Sequence, residues 1–359
     1  MKTKATAGAL MVLCLLFVTV SVVDVTEAKL DVLVVPDDYP TIGAAVESAT
    51  DGDIVLVKGG VYYEHLEINK SIWLAGQNKE TVVIDGNKTG PVILVNHNDV
   101  NITNLTVQNG MDVTTSGLFS SHSGIHLLHV SGCGVSQNII KNNSYGIWLY
   151  ESSENTIFGN DISTSNIGIN INSSSNSNMI LHNRIEGSTL YIHHPPYEDE
   201  SAYGLLMSKS SANTVSENAI AKNKEGIGLY LSSNNRIIQN IIQNNEVCGV
   251  TTVNSYSENN TFYNNVFSND NQVSTSTGVI NNWDNGETGN YWSDYTGTDT
   301  DGDGIGDTPY IINDGNRDNY PYMTPEQIPE FQPELITILV LVASLTIVLF
   351  KKKVWRQAT

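Results

Sequence analysis

The stretch GIWLYESSENTIFGNDI, residues 146–162, contains both elements of a repeat that fills the middle of the chain. A glycine followed by alternating apolar residues recurs in steps of 22, 22, 36, 22 and 23 residues, at Gly124, Gly146, Gly168, Gly204, Gly226 and Gly249. Nine to eleven residues after each glycine comes the pattern Asn-x-apolar-x-x-Asn-x-apolar. It begins at Asn155, Asn178, Asn213, Asn235 and Asn260, and in the first repeat Cys133 takes the place of the first asparagine. A strand-like repeat of this length is typical of a β solenoid, in which each coil packs only against its neighbours.

Each repeat unit predicts three short strands. In the first strand, Ile147 and Leu149 alternate with Trp148 and Tyr150, which is the two-residue period of a half-buried strand. Two further short strands follow in the second half of the unit, with polar corners between them. We therefore predict an all-β fold, a right-handed single-stranded parallel β-helix over residues 29–283 with coils of about 22 residues.

One asparagine of the second element falls at the same corner of successive coils. The members of this set are Asn138, Asn160, Asn183, Asn218, Asn240 and Asn265. We predict that their side chains form an internal amide ladder, each bonded to its neighbours and to the turn backbone, rather than a ligand site.

The start of the chain predicts export. A basic and then apolar segment that ends in Thr26-Glu27-Ala28 is typical of a secretory signal over residues 1–28. Cys133 and Cys248 then remain. Five coils separate them, about 24 Å at about 4.8 Å per coil, whereas a disulfide requires Cα atoms within about 7 Å. We therefore predict two free and mostly buried thiols.

The other end of the chain predicts a membrane anchor. Residues 335–350 are uncharged and apolar, and Lys351–Lys353 follow them. Sixteen helical residues span about 24 Å, and snorkelling lysines extend this toward the roughly 30 Å of a bilayer core. We predict a Pro-rich linker at 324–334, a transmembrane helix at 335–350 and a cytoplasmic basic tail at 351–359. The alternatives are a buried C-terminal helix, or removal of the helix at Ile328-Pro329-Glu330-Phe331, which resembles a Pro-Glu-Phe sorting signal of surface proteins.

The composition argues against a nucleic-acid partner. The chain has 38 acidic and 18 basic residues. Without the predicted signal and basic tail its net charge is about −24, and nucleic-acid binding requires basic stripes. Cations, high salt or cationic surfaces suit such a chain better.

The N-terminal part predicts a cap for the solenoid. Residues 40–50 (PTIGAAVESAT) form an amphipathic helical pattern that would cover the open end of the core. Strands are expected next at Ile54–Val57, Ile72–Leu74 and Val82–Ile84.

These motifs resemble a known family. The stretch PTIGAAVESATDGDIVLVKGGVYYEHLEINKSIWLAGQ, residues 40–77, is similar to the opening coil of right-handed β-helix proteins related to pectin esterases and NosD. The later repeats resemble the NosD/CASH group of carbohydrate-binding proteins and sugar hydrolases. The stretch GNYWSDYTGTDTDGDGIGDTPY, Gly289–Tyr310, resembles the C-terminal segment of NosD-like surface proteins, often archaeal. The resemblance implies the β-helix fold in the pectin-lyase-like superfamily. No Cys/His/Met cluster demands copper, and the pectin esterase catalytic set is absent from the sequence.

An acidic loop predicts a calcium site inside a C-terminal cap, residues 284–323. Its carboxylates Asp299, Asp301, Asp303 and Asp307 match positions 1, 3, 5 and 9 of calcium loops. Glycines between them let the backbone curl. Position 12 is a tyrosine rather than a bidentate glutamate, so we expect a structural site with affinity of about 10⁻⁴ M. The alternative is a solvated acidic loop.

A ligand is expected on the outward face of the first strands. Two columns are predicted across the coils: His126, Trp148, Asn170, Leu206, Gly228 and Thr251, and Leu128, Tyr150, Asn172, Ser208, Tyr230 and Val253. Trp148, Tyr150 and Tyr230, with His126 and Asn170, offer a platform for sugar rings. The alternatives are a covering loop or scattered surface aromatics.

Two insertions, residues 110–121 and 188–201, interrupt the period at the same corner and would wall a groove about 14 Å long beside these columns. Glu151 and Glu198 are weak candidates for a general acid–base pair that cleaves a glycosidic bond. A metal site from His122, His126 and His193 or His194 is a further alternative.

The sequence therefore predicts a secreted, membrane-tethered surface β-helix that is non-catalytic. It would bind a polysaccharide or envelope glycan, or contribute to the cell envelope, and have a calcium-stabilised cap. The first alternative is a polysaccharide lyase or glycoside hydrolase. The second is a NosD-like copper-handling accessory protein, which rests on the family name alone.

Overall fold

Three parallel sheets run along the molecule. The computed structural model describes residues 30–111, 122–163, 166–189, 202–253 and 256–328. Sheet A has ten strands in the spatial order of the chain: β1 Val32–Val35, β2 Ile54–Val57, β5 Trp73–Gly76, β8 Asn101–Thr103, β11 Gly134–Ser136, β14 Thr156–Phe158, β17 Met179–Leu181, β20 Thr214–Ser216, β23 Arg236–Ile238 and β26 Thr261–Tyr263.

Sheets B and C are built in the same way. Sheet B consists of β3 Gly60–Tyr62, β6 Val82–Asp85, β9 Thr106–Gln108, β12 Ile139–Lys141, β15 Asp161–Ser163, β18 Arg184–Glu186, β21 Ala219–Ala221, β24 Ile241–Gln243, β27 Val266–Ser268 and β29 Tyr291–Trp292. Sheet C consists of β4 Leu66–Ile68, β7 Ile93–Val95, β10 Ser123–Leu128, β13 Tyr145–Tyr150, β16 Ile167–Asn172, β19 Tyr203–Ser208, β22 Glu225–Tyr230, β25 Cys248–Val253 and β28 Val273–Thr275.

Each coil contributes one strand to each sheet and pairs in register with the next coil. Ile147 of β13, for example, lies opposite Ile125 of β10 and Ile169 of β16. This confirms the all-β right-handed parallel β-helix, with three short strands per coil. The parallel sheets continue beyond residue 283, because β29 at Tyr291–Trp292 still pairs with β27.

The core is a set of stacked aliphatic columns. The inward residue of sheet A is buried in every coil of the repeat and becomes aromatic only at the end: Val135, Ile157, Ile180, Val215, Ile237 and Phe262. Sheet B has the matching column Ile140, Ile162, Ile185, Ile220, Ile242 and Phe267. Since each buried aliphatic side chain stabilises the fold by about 1.5–3 kcal/mol, the stability is distributed evenly along the coils.

The repeated glycine has a steric cause. A Cβ atom on Gly146 would lie 2.5 Å from the carbonyl oxygen of Gly168 in the next coil, and one on Gly168 would lie 2.5 Å from that of Gly204. Any side chain here would push adjacent coils apart. The glycine that begins each unit therefore permits the close approach of successive backbones at this bend.

The predicted asparagine ladder is present and extends further than expected. The backbone N–H and the side-chain Nδ2 of Asn160 donate to Asn183 Oδ1 at 2.9 and 3.0 Å, and Asn183 repeats this contact with Asn218. The column ends in Asp318, to which the backbone N–H of Asn290 donates at 2.6 Å. A second ladder, which the repeat pattern did not predict, joins Asn155, Asn178, Asn213, Asn235, Asn260 and Asn281. A third joins Asn223, Asn245 and Asn269.

A short helix closes the first coil. Helix α1, Ile42–Ser48, lies within the predicted segment and buries Ile42, Ala45 and Val46. Thr41 caps it by accepting the N–H of Ala44. Glu64, from a coil below, accepts the first two helical N–H groups at 3.0 and 2.8 Å. The predicted N-terminal cap is confirmed.

Aromatic rings close the other end. Phe262 stacks on Trp283 at 4.3 Å, Phe267 stacks on Trp292 at 4.4 Å, and Trp292 stacks on Tyr310 at 4.3 Å. The antiparallel pair β30 Tyr310–Asn313 and β31 Asn316–Asp318 and the 3₁₀ turn Pro325–Gln327 complete this cap.

Several predictions concern residues outside the described ranges. These are the signal at 1–28, the transmembrane helix at 335–350, the tail at 351–359 and most of the linker at 324–334. Among the described residues, none of the helices has the length and apolar character needed to cross a bilayer.

Candidate functional site

The two predicted columns on the outer face of sheet C are confirmed by the strand register. His126 lies opposite Trp148, Trp148 opposite Asn170, and the column continues through Leu206, Gly228 and Thr251. The second column likewise aligns Leu128, Tyr150, Asn172, Ser208, Tyr230 and Val253. His126, Trp148 and Asn170 therefore lie on three consecutive coils.

The exposure of this face differs from the prediction. The His126 ring stacks on Trp148 with centroids 4.4 Å apart and planes 3° from parallel, and only 5% of His126 is exposed. Asn170 is 4% exposed, while Trp148 is half-buried. One face of the Trp148 ring is thus already occupied by His126. The prediction that Trp148 offers an open platform is therefore wrong for the face of the ring that His126 covers.

Among the aromatic rings of the two columns, that of Tyr230 is the most exposed. Tyr150 is half-buried and meets Trp148 edge to face at 5.8 Å, whereas Tyr230 is 38% exposed and lies three coils away. Tyr145 lies 5.1 Å from Trp148, centroid to centroid. Sequence reasoning missed Tyr145 and Tyr203, since strict alternation places the residue before the repeat glycine inside. The bend at that glycine turns both side chains outward, which strand periodicity alone does not show.

Several polar atoms in the His126 column have no hydrogen-bond partner in the part of the chain that the structure describes. Among the described residues, nothing hydrogen-bonds to either ring nitrogen of His126, to Trp148 Nε1 or to Asn170 Oδ1, although all four atoms are buried. Ser144, Asn166 and Ser188, at the corner that precedes sheet C, each have a buried oxygen in the same condition. Buried polar atoms in proteins are almost always paired, because an unpaired one costs about 1–3 kcal/mol. The concentration of such atoms at one face and corner is therefore the main chemical feature of this surface.

His126 is neutral at pH 7. Burial, followed by the nearby charge of His129, lowers the pKa of His126 to about 4. A neutral imidazole has one N–H donor and one acceptor nitrogen, so both ring nitrogens of His126 can take part in hydrogen bonds.

The structure describes only one member, Glu151, of the predicted carboxylate pair. Glu151 is exposed, and its Oε2 lies 3.3 Å from His129 Nε2, an ion pair when the histidine is protonated. Glu198 lies outside the described residues, as do His193 and His194 of the alternative metal site. Both insertions also fall largely outside, so the walled groove and the acid–base pair stay predictions.

The acidic loop brings three of its four carboxylates together. Asp299, Asp301 and Asp303 each offer an oxygen within 4.8 Å of the others. Gly302 and Gly304 adopt positive φ angles of 76° and 91°, which confirms that the loop curls at its glycines.

The other two positions of the motif turn away from this group. Asp307 instead accepts hydrogen bonds from the backbone and side chain of Thr300, and these bonds lower its pKa. Tyr310, at position 12, directs its hydroxyl to Asp294 and its ring to the cap. The three-carboxylate group therefore lacks two of the ligands that a complete calcium loop has.

The three sheets, the asparagine ladders and the capped ends define a parallel β-helix. A family profile described as "Periplasmic copper-binding protein (NosD)" matches residues 45–198 and 196–297, more than half of the chain. The chain belongs to the NosD family.

One relative and two solved structures illustrate what the chain is similar to. A "Cell surface glycoprotein" from Methanothermus fervidus is 31% identical, with 68% of this chain and 49% of the relative covered. The chain thus spans about half the length of this curated relative. The catalytic domain of a GH87 alpha-1,3-glucanase in complex with tetrasaccharides has a TM-score of 0.51 at 12% identity, covering 68% of this chain and 45% of that one. XylC in complex with xylose has a TM-score of 0.51 at 10% identity, covering 69% of each chain. These two likenesses show the fold alone.

The described residues do not fit the copper that the family description mentions. Copper prefers imidazole, thiolate and thioether ligands. Among the described residues, the only three Asp, Glu, His or Cys side chains that converge within 4.8 Å are Asp299, Asp301 and Asp303, a hard oxygen set. The His126 ring is stacked on Trp148, and Cys133 and Cys248 are separate buried thiols, as predicted.

Proposed function

We propose that this protein is a non-catalytic surface β-helix that binds a glycan on the outer face of sheet C. The observation that supports this most strongly is the set of unpaired polar atoms on His126, Trp148 and Asn170. A sugar has hydroxyl groups that both donate and accept, and apolar C–H faces that contact aromatic rings. Such a ligand would lie against Tyr145 and Tyr150, and it would pair these buried atoms once the side chains that cover them move aside.

The test separates a ligand role from a packing role. Trp148→Phe keeps an aromatic ring but removes Nε1. If Nε1 binds a sugar, the variant loses affinity, by roughly 10-fold for one hydrogen bond of about 1–1.5 kcal/mol. If Nε1 is only a buried unpaired group, its removal raises the melting temperature and leaves affinity unchanged. Tyr63→Phe, at a ring 71% exposed that lies just before β4, three coils away from Trp148, is the control.

The assay uses the purified full chain and a panel of neutral and acidic polysaccharides. Retention of a polysaccharide and release of new fragments are both recorded, the latter by mass spectrometry. Retention without fragments supports the proposal. Fragments that disappear in Glu151→Gln or Glu198→Gln would instead establish a lyase or hydrolase. Neither retention nor fragments would leave a purely structural role in the envelope and refute glycan binding.

We also propose that calcium stabilises the C-terminal cap through Asp299, Asp301 and Asp303. Three carboxylates with oxygens within 4.8 Å of one another repel each other at pH 7, and a divalent cation removes that repulsion. Calcium should raise the melting temperature of the protein. Asp301→Asn with Asp303→Asn should abolish the increase, while Asp270→Asn, at another exposed aspartate, should retain it. An unchanged melting temperature of the unmodified protein in calcium refutes this part.

The proposed location is the cell surface. The name of the Methanothermus fervidus relative and the predicted signal at 1–28 support it. We propose that residues 335–350 anchor the chain in the membrane with Lys351–Lys353 inside. Cell fractionation of the tagged chain, with and without residues 335–359, tests this. Release of only the truncated chain into the medium is the expected result.

A further inference from the structure

An open polar cavity lies on a face of the solenoid other than sheet C. It has a volume of about 520 Å³ and is lined by residues of β23, β26 and the cap: Arg236, Thr261, Tyr263, Asn282, Asp284, Asn285 and Gly286. Its floor is the outer face of sheet A, where Arg236 lies opposite Thr261 and Thr261 bridges to Asn282. This volume is in the range of small-ligand sites and suits one or two sugar rings.

The guanidinium of Arg236 is held in place and lacks an acidic partner. Its Nη2 donates to the hydroxyl of Tyr263 at 2.9 Å. Among the described residues, no carboxylate oxygen lies within 4.0 Å of it. In contrast, Arg184 on sheet B contacts both Asp161 and Glu186. In a chain with 38 acidic and 18 basic residues, an arginine that lines a cavity and is not paired with its one carboxylate, Asp284, is a positive point in a negative surface.

The acidic residue of the cavity is already bonded. Asp284 Oδ1 accepts the N–H of Gly286 at 3.0 Å, and its Oδ2 accepts two N–H groups of Asn319 at 3.0 and 2.8 Å. Its charge is therefore directed into the turn of the cap rather than toward Arg236. Asn282 and Thr261 provide amide and hydroxyl groups along the same floor.

We infer that this cavity binds a sugar that has a carboxylate, such as a uronate residue of an acidic glycan. The planar guanidinium pairs with a carboxylate through two parallel hydrogen bonds, and Tyr263 on one side fixes its orientation. The ring hydroxyls of the same sugar would meet Thr261, Asn282 and Asn285. This site is separate from the outer face of sheet C and does not depend on glycan binding there.

The test compares trigalacturonate with its fully methyl-esterified form, by isothermal titration calorimetry on the full chain. The two ligands share their rings and differ in charge. We expect the charged form alone to bind, with an affinity that falls as NaCl is raised from 50 to 500 mM. Arg236→Gln should weaken binding roughly 10- to 100-fold, and Arg236→Lys should give an intermediate loss because the charge stays but the planar fork is lost.

A control variant separates binding in this cavity from binding at a different arginine. Arg184→Gln removes an arginine of sheet B and should leave affinity unchanged. Arg236 is exposed, so Arg236→Gln should melt within about 2 °C of the unmodified protein. Three results would overturn the inference. They are equal binding of the methyl ester, binding that survives Arg236→Gln, and no binding of trigalacturonate at about 10 mM, a concentration that would detect even a very weak site.

Discussion

Replacing Asn183 by alanine tests whether the amide ladder, and not only the aliphatic core, stabilises the coils. Asn183 is 1% exposed. Its Oδ1 accepts the backbone N–H and the Nδ2 of Asn160, and its Nδ2 donates to carbonyl oxygens of Ile157 and Leu181 and to Asn218 Oδ1. One side chain thus connects three successive coils.

The loss of unfolding free energy depends on which groups have no other hydrogen-bond partner than Asn183. The backbone N–H of Asn160 has no other acceptor among the described residues, so it would remain buried and unpaired at a cost of about 1–3 kcal/mol. The Asn160 amide keeps its bond to Val135, and Leu181 keeps the N–H of Gly159. Because these two groups keep another partner, the loss of their bonds to Asn183 costs about 1 kcal/mol or less each. The total loss of unfolding free energy is about 4 kcal/mol.

Urea unfolding followed by circular dichroism measures this loss, and hydrogen exchange locates it. Exchange should accelerate at Asn160 and adjacent amides but not near Asn265, because solenoid coils interact only with their neighbours. Asn271→Ala, at an exposed asparagine, should change stability by less than about 0.5 kcal/mol. A loss below about 1 kcal/mol for Asn183→Ala would refute the argument that the ladder amides are needed to pair the turn backbone.

Three further predictions concern the coil contacts, the thiols and the C-terminal cap. Gly146→Ala should lower the unfolding free energy by at least about 2 kcal/mol, since its Cβ would lie 2.5 Å from a carbonyl oxygen; an unchanged melting temperature would contradict this. Burial raises the pKa of the Cys248 thiol to about 11, so both free thiols should react with a disulfide reagent only as fast as the protein unfolds, and immediate labelling of the native protein would be the contrary result. Burial also raises the pKa of Asp318 to about 6, above the unfolded value of about 3.9. Between these two pH values the folded state binds a proton at Asp318 that the unfolded state does not. The stability of the protein should therefore rise as the pH falls from 7 to 4.5. The stability of the unmodified protein relative to Asp318→Asn, from melts at both pH values, should therefore increase at the lower pH, and a constant difference would show that Asp318 does not titrate in this range.

The sequence repeat by itself determines most of the fold. The spacing of Gly146 and Asn155 and the two-residue alternation set the coil length, the strand count and the register of the His126 column. This is possible because a solenoid is built from contacts between equivalent positions of adjacent coils, so a period in sequence is a distance in space. The same logic placed Cys133 and Cys248 too far apart to pair.

The candidate sites depended on contacts that no periodicity contains. The alternation predicts that Trp148 points outward, but only the structure shows that His126 stacks on it and that their polar atoms have no partner among the described residues. The spacing of the acidic loop predicts four clustered carboxylates, yet Asp307 bonds to Thr300 instead. The cavity around Arg236 forms where the cap turn meets the last coils, between residues about 50 positions apart in the chain. Register along a repeat is a local, translational property that the sequence by itself determined, whereas burial, stacking and pairing depend on irregular segments that fold back onto it, and those only the tertiary structure decided.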